Sequence, residues 1–129
     1  MCWIGNLSDR RIANRDKVVY KVFIKSREGE LKSAFREMPY KRNTLYETKF
    51  EIAAGFVEDR KVIFIGAGFH SFETFTGACK LISTRSYHKC GIPLVIIKCI
   101  IPKGSIYYIN SEMVVVSNKI IVTNEDCKW

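Results

Sequence analysis

Three short segments of this sequence carry side chains whose chemistry goes beyond packing. In Gly66-Ala67-Gly68-Phe69-His70-Ser71 two glycines would let an anion approach backbone N–H groups closely, as at the start of a helix. Ser71 would cap that helix, and His70 beside it is placed to hydrogen-bond a phosphate or ribose. The segment lacks the third glycine of a dinucleotide fingerprint and the Gly-Lys-Ser/Thr of a P-loop, so neither motif is present. In Pro102-Lys103-Gly104-Ser105, followed by Tyr107-Tyr108, a lysine on a corner could neutralise phosphate while Tyr107 stacks on a base. The third segment is Ser111-Glu112, a carboxylate at the mouth of a strand that could stabilise a developing positive charge. Each also has a plain reading as a capped turn, a β-corner or a solvated carboxylate.

The elements that must position these residues are legible as patterns. Residues 18–25 alternate, with Val18, Tyr20, Val22 and Ile24 on one face and Lys21 and Lys25 on the other, which predicts a half-buried strand. A turn at Arg27-Glu28-Gly29-Glu30 leads to a return strand over residues 31–35, ended by Met38-Pro39-Tyr40 because proline cannot continue a ladder. Residues 45–52 and 61–65 are further strands joined near Glu58-Asp59-Arg60, the first with a short helix as its alternative. Helical spacing of Phe72, Phe75, Cys79 and Ile82 predicts one main helix over about residues 71–86. Residues 94–101 are almost continuously apolar, interrupted by Lys98, which predicts a central strand covered on both faces. Residues 106–109, 113–116 and 119–123 complete the strands. The fold class expected is α+β, a mostly antiparallel sheet, continuous or split, with one helix packed on it.

At 129 residues with 47% hydrophobic and 26% charged content, the chain suits one domain, residues 1–129, and excludes a disordered or collagen-like class. Its 21 Lys+Arg against 13 Asp+Glu leave a formal +8, which attracts anionic partners without naming one. Residues 1–50 hold six of those eight charges, away from most of the segments above, so the excess serves steering better than it marks a site. The N-terminus lacks the basic and apolar regions of a secretory signal, and no apolar run reaches about 20 residues. A cytoplasmic protein with no membrane partner is expected. Five cysteines, Cys2, Cys79, Cys90, Cys99 and Cys127, include no C-x-x-C pair, which argues against a disulfide framework and a zinc knuckle. Cys79 and Cys99 read as small core residues, and His88 with Cys90 is too few ligands for a closed zinc site. No metal site is expected.

Two resemblances join these segments. "VYKVF" at residues 19–23, "GFHSF" at 68–72, "IIPKGSIYY" at 100–108 and "SEMVVVSNKIIV" at 111–122 resemble a shrunken, degenerate ADP-ribosyltransferase-like domain. The resemblance implies that Lys21 fills a first-strand basic position and Ser71 the first serine of a serine motif. Glu112 would be the glutamate that orients a nicotinamide ribose. Lysine stands where that family has Arg or His, and Asn110 where arginine-specific members carry a second glutamate, so binding is implied ahead of transfer. Together with the opening "MCWIG", the same segments are similar to small uncharacterised proteins of gut anaerobes and their bacteriophages. That setting implies a counter-defence protein that sequesters a nucleotide immune signal.

The expectation is therefore a non-catalytic domain binding a small nucleotide-derived anion, NAD-derived or a cyclic nucleotide, through Lys21, Gly68, His70, Ser71, Lys103 and Tyr107. No resident cofactor is implied, NAD being a possible ligand or substrate. One alternative is an NAD-cleaving or ADP-ribosyltransferase-like enzyme using Glu112. Another is a basic module for nucleic acid or a host protein, although no known nucleic-acid motif is present. A homo-oligomer could complete the pocket.

Overall fold

The computed structural model describes residues 3–34, 38–84 and 93–127. His88, Cys90, Cys2, the end of the expected second strand at Phe35 and the end of the expected helix lie outside them.

Among the described residues the chain builds two antiparallel sheets and one α-helix, with a short 3-10 turn at Leu7–Asp9. Strands β1 (Trp3–Gly5), β2 (Arg10–Ile12), β3 (Lys17–Lys25), β4 (Leu31–Ser33) and β5 (Pro39–Tyr40) come first. They are followed by β6 (Leu45–Glu47), β7 (Glu51–Val57), β8 (Arg60–Ala67) and β9 (Phe69–Phe72). Helix α1 (Phe75–Thr84) precedes β10 (Leu94–Ile101), β11 (Ile106–Ile109), β12 (Val114–Ser117) and β13 (Lys119–Cys127). The larger sheet runs β2-β11-β12-β9-β3-β10-β13-β6, with β4 and β5 branching from β3, and the smaller one runs β1-β8-β7. Among the described residues the sheet is thus split and dominates one α-helix.

The apolar run in β10 occupies the middle of the larger sheet, between β3 and β13. Opposite faces of β3 and β10 feed two different cores. One face presents Val19 and Phe23 with Ile97, Cys99 and Ile101, joined by Phe69, Val115, Ile120 and Val122 from flanking strands. The other face presents Val22 and Ile96 to Ala78 and Ile82 of α1. The smaller sheet packs Trp3, Ile63 and Ile65 against Tyr108 and Val116, which lie on the side of their strands opposite Val115. The first core therefore lies on an inner face, covered on the outside by the helix and by the smaller sheet.

This arrangement corrects the expectation for β3. Alternation alone put Lys21 on a solvated face, but Lys21 is only 4% exposed while Val18 is 50% exposed. A strand flanked by β9 and β10 and covered on both faces leaves its lysine inside, and exposes its valine only near the strand end. The short helix considered for residues 45–52 is also replaced. Those residues split between β6 and β7, which belong to different sheets.

Candidate functional site

Gly68 marks the corner where the chain passes from β8 in the smaller sheet to β9 in the larger one. It sits at φ +144°, and a Cβ there would come within 2.5 Å of a Val116 methyl, so glycine is required both for conformation and for close approach. The segment after it does not open a helix. Residues 69–72 continue as β9, with Phe69, His70, Ser71 and Phe72 registered against β12 from Ser117 to Val114. The helix starts only at Phe75, where Thr74 Oγ1 accepts a hydrogen bond from the Gly77 N–H at 3.0 Å and the Thr74 carbonyl accepts from Ala78. Thr74 is therefore the cap expected of Ser71, and the expected anion site at a helix N-terminus after Gly66-Ala67-Gly68 is not formed. Ser71 is fully buried on the inner face. Among the described residues its hydroxyl has no hydrogen-bond partner.

The corner instead contributes to a cleft at the inner face. Lys21 of β3 reaches across to β9, its Nζ donating to the His70 carbonyl at 2.6 Å. The ammonium also lies 5.9 Å from the ring centroids of both Phe23 and Tyr40, a distance at which a cation is attracted to the ring faces. Tyr40 is the hub of an aromatic cluster, 4.9 Å from Tyr46 and 5.4 Å from Phe23, both edge-on. Lys21, Ser33, Tyr40, Tyr46, Gly68 and His70 line a cavity of about 160 Å³. The loop between β5 and β6 turns at Asn43, which has φ +56°, and the Tyr46 hydroxyl accepts from the Lys41 N–H at 2.7 Å. That return is what lays two tyrosines on one wall.

The electrostatics of the inner face show in Cys99. Burial pushes its thiol up to about 12, while the Lys21 ammonium pulls in the opposite direction. At the rim, hydrogen bonding from Arg42 holds the Asp126 carboxyl below its ordinary value, with Lys25 adding to the effect and partial desolvation opposing it. Arg42 meets Asp126 at 2.7 Å and Lys25 meets it at 3.1 Å.

The remaining sequence-selected residues lie elsewhere. Tyr107, on β11, lines a separate depression with Asn14, Arg15 and Asp16, and Lys17 Nζ stands 5.4 Å over its ring. Lys103 is exposed on the neighbouring corner, where its backbone N–H donates to Asp16 Oδ1 at 2.9 Å. Glu112 is exposed beside a third cavity with Asn6, Asp9 and Arg60. Asn110, which precedes it, is a structural turn residue. Its Oδ1 accepts from the Glu112 and Val114 N–H groups, and its Nδ2 donates to the Ile4 carbonyl.

Lys21, Gly68 and His70 are thus brought together, whereas Lys103, Tyr107 and Glu112 line or border other cavities. Sequence reasoning missed Ser33, Tyr40 and Tyr46. The two tyrosines flanking Lys41-Arg42-Asn43 were the available signal, since a turn at Asn43 returns both to one side. Among the described residues no three His, Cys, Asp or Glu side chains are grouped to hold a metal ion, and no helix is long and apolar enough to cross a membrane. No protein-family model, no curated protein and no solved structure matches the chain.

Proposed function

We propose that the chain is a binding domain for a nucleotide-derived anion, and that the ligand enters the cleft of Lys21, Tyr40, Tyr46 and His70. The observation that carries this reading is a buried ammonium, held by the His70 carbonyl, sharing one cavity with two tyrosine rings. A cation and aromatic walls together suit a flat, electron-rich ring attached to negative charge. The cavity, about 160 Å³, is comparable to an engineered cavity of about 150 Å³ that holds benzene. One ring of a nucleotide fits inside, and its phosphates stay at the surface. Exposed Lys41 and Lys49 follow the lining residues Tyr40 and Thr48 in sequence and add to the positive excess of the first half of the chain.

Holding is favoured over converting. Glu47 is the one carboxylate among the described residues lining the cleft, and Glu112 borders a different cavity. Sequestration of an NAD-derived or cyclic nucleotide signal is the biological role consistent with such a site. Thermal unfolding with NAD, ADP-ribose and cyclic nucleotides tests the reading. A ligand at about 100 times its Kd adds about 2.7 kcal/mol, so the midpoint should rise by several degrees with at least one of them. Lys21→Met, checked for folding by circular dichroism, should abolish that rise, and Glu112→Gln should leave it unchanged. No shift with any nucleotide, or a shift indifferent to Lys21→Met, refutes the proposal.

A further inference from the structure

Strand β7 forms one edge of the smaller sheet, paired with β8 alone. Among the described residues no strand pairs with its other side. Natural edge strands are commonly blunted by proline, lysine or an inward charge, yet Glu51-Ile52-Ala53-Ala54-Gly55-Phe56-Val57 carries none of these in its interior. Its register with β8 sets Ile52 opposite Ile65, Ala54 opposite Ile63 and Phe56 opposite Lys61. Ile52, Ala54 and Phe56 therefore share the face on which Ile63 and Ile65 are buried. Beyond that core the face is uncovered, with Ile52 45% and Phe56 74% exposed.

We infer that this edge pairs with the same edge of a second copy of the chain, antiparallel about a two-fold axis at Ala54. In that register Ile52 of each copy lies opposite Phe56 of the other, on one continuous apolar face, a type of cross-strand pair that stabilises sheets. The large side chains select the same register. A two-fold at Gly55 would place Ile52 beyond Val57, the last strand residue of the partner copy, and one at Ala53 would set Ile52 against Ala54 and leave Phe56 opposite Phe50, ahead of the strand. The strand is thus self-complementary in one register, which is what an isologous interface requires. An edge of seven residues makes a small interface compared with the roughly 1,200 Å² at which specific ones begin, so a weak dimer that forms only in the upper part of the micromolar range is expected.

Sedimentation equilibrium from 1 to about 500 μM tests the pairing without any ligand and independently of the nucleotide reading. The mass should rise from 14.9 kDa toward twice that value, and Phe56→Lys should hold it at the monomer. Circular dichroism should be unchanged by that substitution, because the side chain is largely exposed. The register has its own readout. Ala54→Cys faces itself across the axis at a spacing a disulfide can span, so it should give a covalent dimer on oxidation, whereas Ile52→Cys should not exceed the wild-type background. A wild-type chain that stays monomeric throughout, a dimer unaffected by Phe56→Lys, or crosslinking by Ile52→Cys in place of Ala54→Cys each overturns the inference.

Discussion

Cys99 and Lys21 lie on the same inner face, and one is inert for the reason that makes the other informative. The thiol is pushed up to about 12 by desolvation, and a protonated, enclosed thiol is a poor nucleophile. Brief treatment of the native protein with iodoacetamide, followed by peptide mass mapping, should modify the half-buried Cys79 and Cys127 and spare Cys99. In urea Cys99 should react as well. Alkylation of Cys99 at the same rate in native protein would contradict its enclosure. The sequence revealed Cys99 correctly as core, because a cysteine in an apolar run has few other places to go. It misplaced Lys21 for the converse reason. Charge is normally a reliable sign of a solvated face, and that sign fails where a strand is covered on both sides and a carbonyl such as that of His70 accepts a hydrogen bond from the ammonium.

At the level of elements, the helix boundary shows how pattern and chemistry compete. Ser71 and Thr74 are both good caps by type, but Ser71 lies in a β-strand whose register against β12 is continuous from Phe69 to Phe72. Sheet pairing decided the boundary, and a caplike residue at Thr74 took over three positions later. Thr74→Ala should therefore cost about 1 kcal/mol, the usual value of a lost N-cap, measured as a lower urea midpoint. Ser71→Ala should cost nothing or stabilise slightly, since it removes a buried hydroxyl that has no hydrogen-bond partner among the described residues. A larger loss for Ser71→Ala than for Thr74→Ala would reverse the assignment. The central strand β10 was legible because its composition leaves little choice. The strand at residues 61–65 was legible, but the tight turn between β7 and β8 was legible only as a loop, since its two residues, Glu58 and Asp59, have φ +49° and +64°, a conformation usually announced by Asn-Gly. Of the cleft, the glycine corner could be read from the sequence; the two tyrosines around Asn43 hinted at a shared wall, but their meeting with Lys21 could not be read, because only the three-dimensional return at Asn43 brings them there.

Over the whole molecule, one carboxylate ties together segments that are far apart in the chain. Asp126 on β13 receives Arg42 from the loop before β6 and Lys25 from the end of β3. Because hydrogen bonding from Arg42, then Lys25, lowers its folded-state value, this contribution is fully present above the ordinary aspartate value of about 3.9 and is lost as pH falls through the lowered one. Urea midpoints of wild type and Asp126→Asn should differ by a constant amount from pH 5 to 8 and converge below about pH 4. A gap that persisted unchanged to pH 2 would show that Asp126 acts through something other than its charge. The partial exposure of these groups keeps the effect modest.

The pairing of β10 with β3 also sets a timetable. The middle of the larger sheet joins residues 17–25 to residues 94–101, and β13 then adds residues 119–127 along the other edge of β10. A chain emerging from the ribosome cannot close this sheet until residues 94–127 are outside the exit tunnel. Until then β3 can gather β4, β9 and α1, but the edge that β10 pairs along its whole length stays open. Folding dominated by such distant pairings is slow, commonly milliseconds to seconds. In the cell, the nascent chain would pass through its most aggregation-prone stage just before residues 94–101 emerge, when β3 has been exposed longest and β10 has not yet arrived.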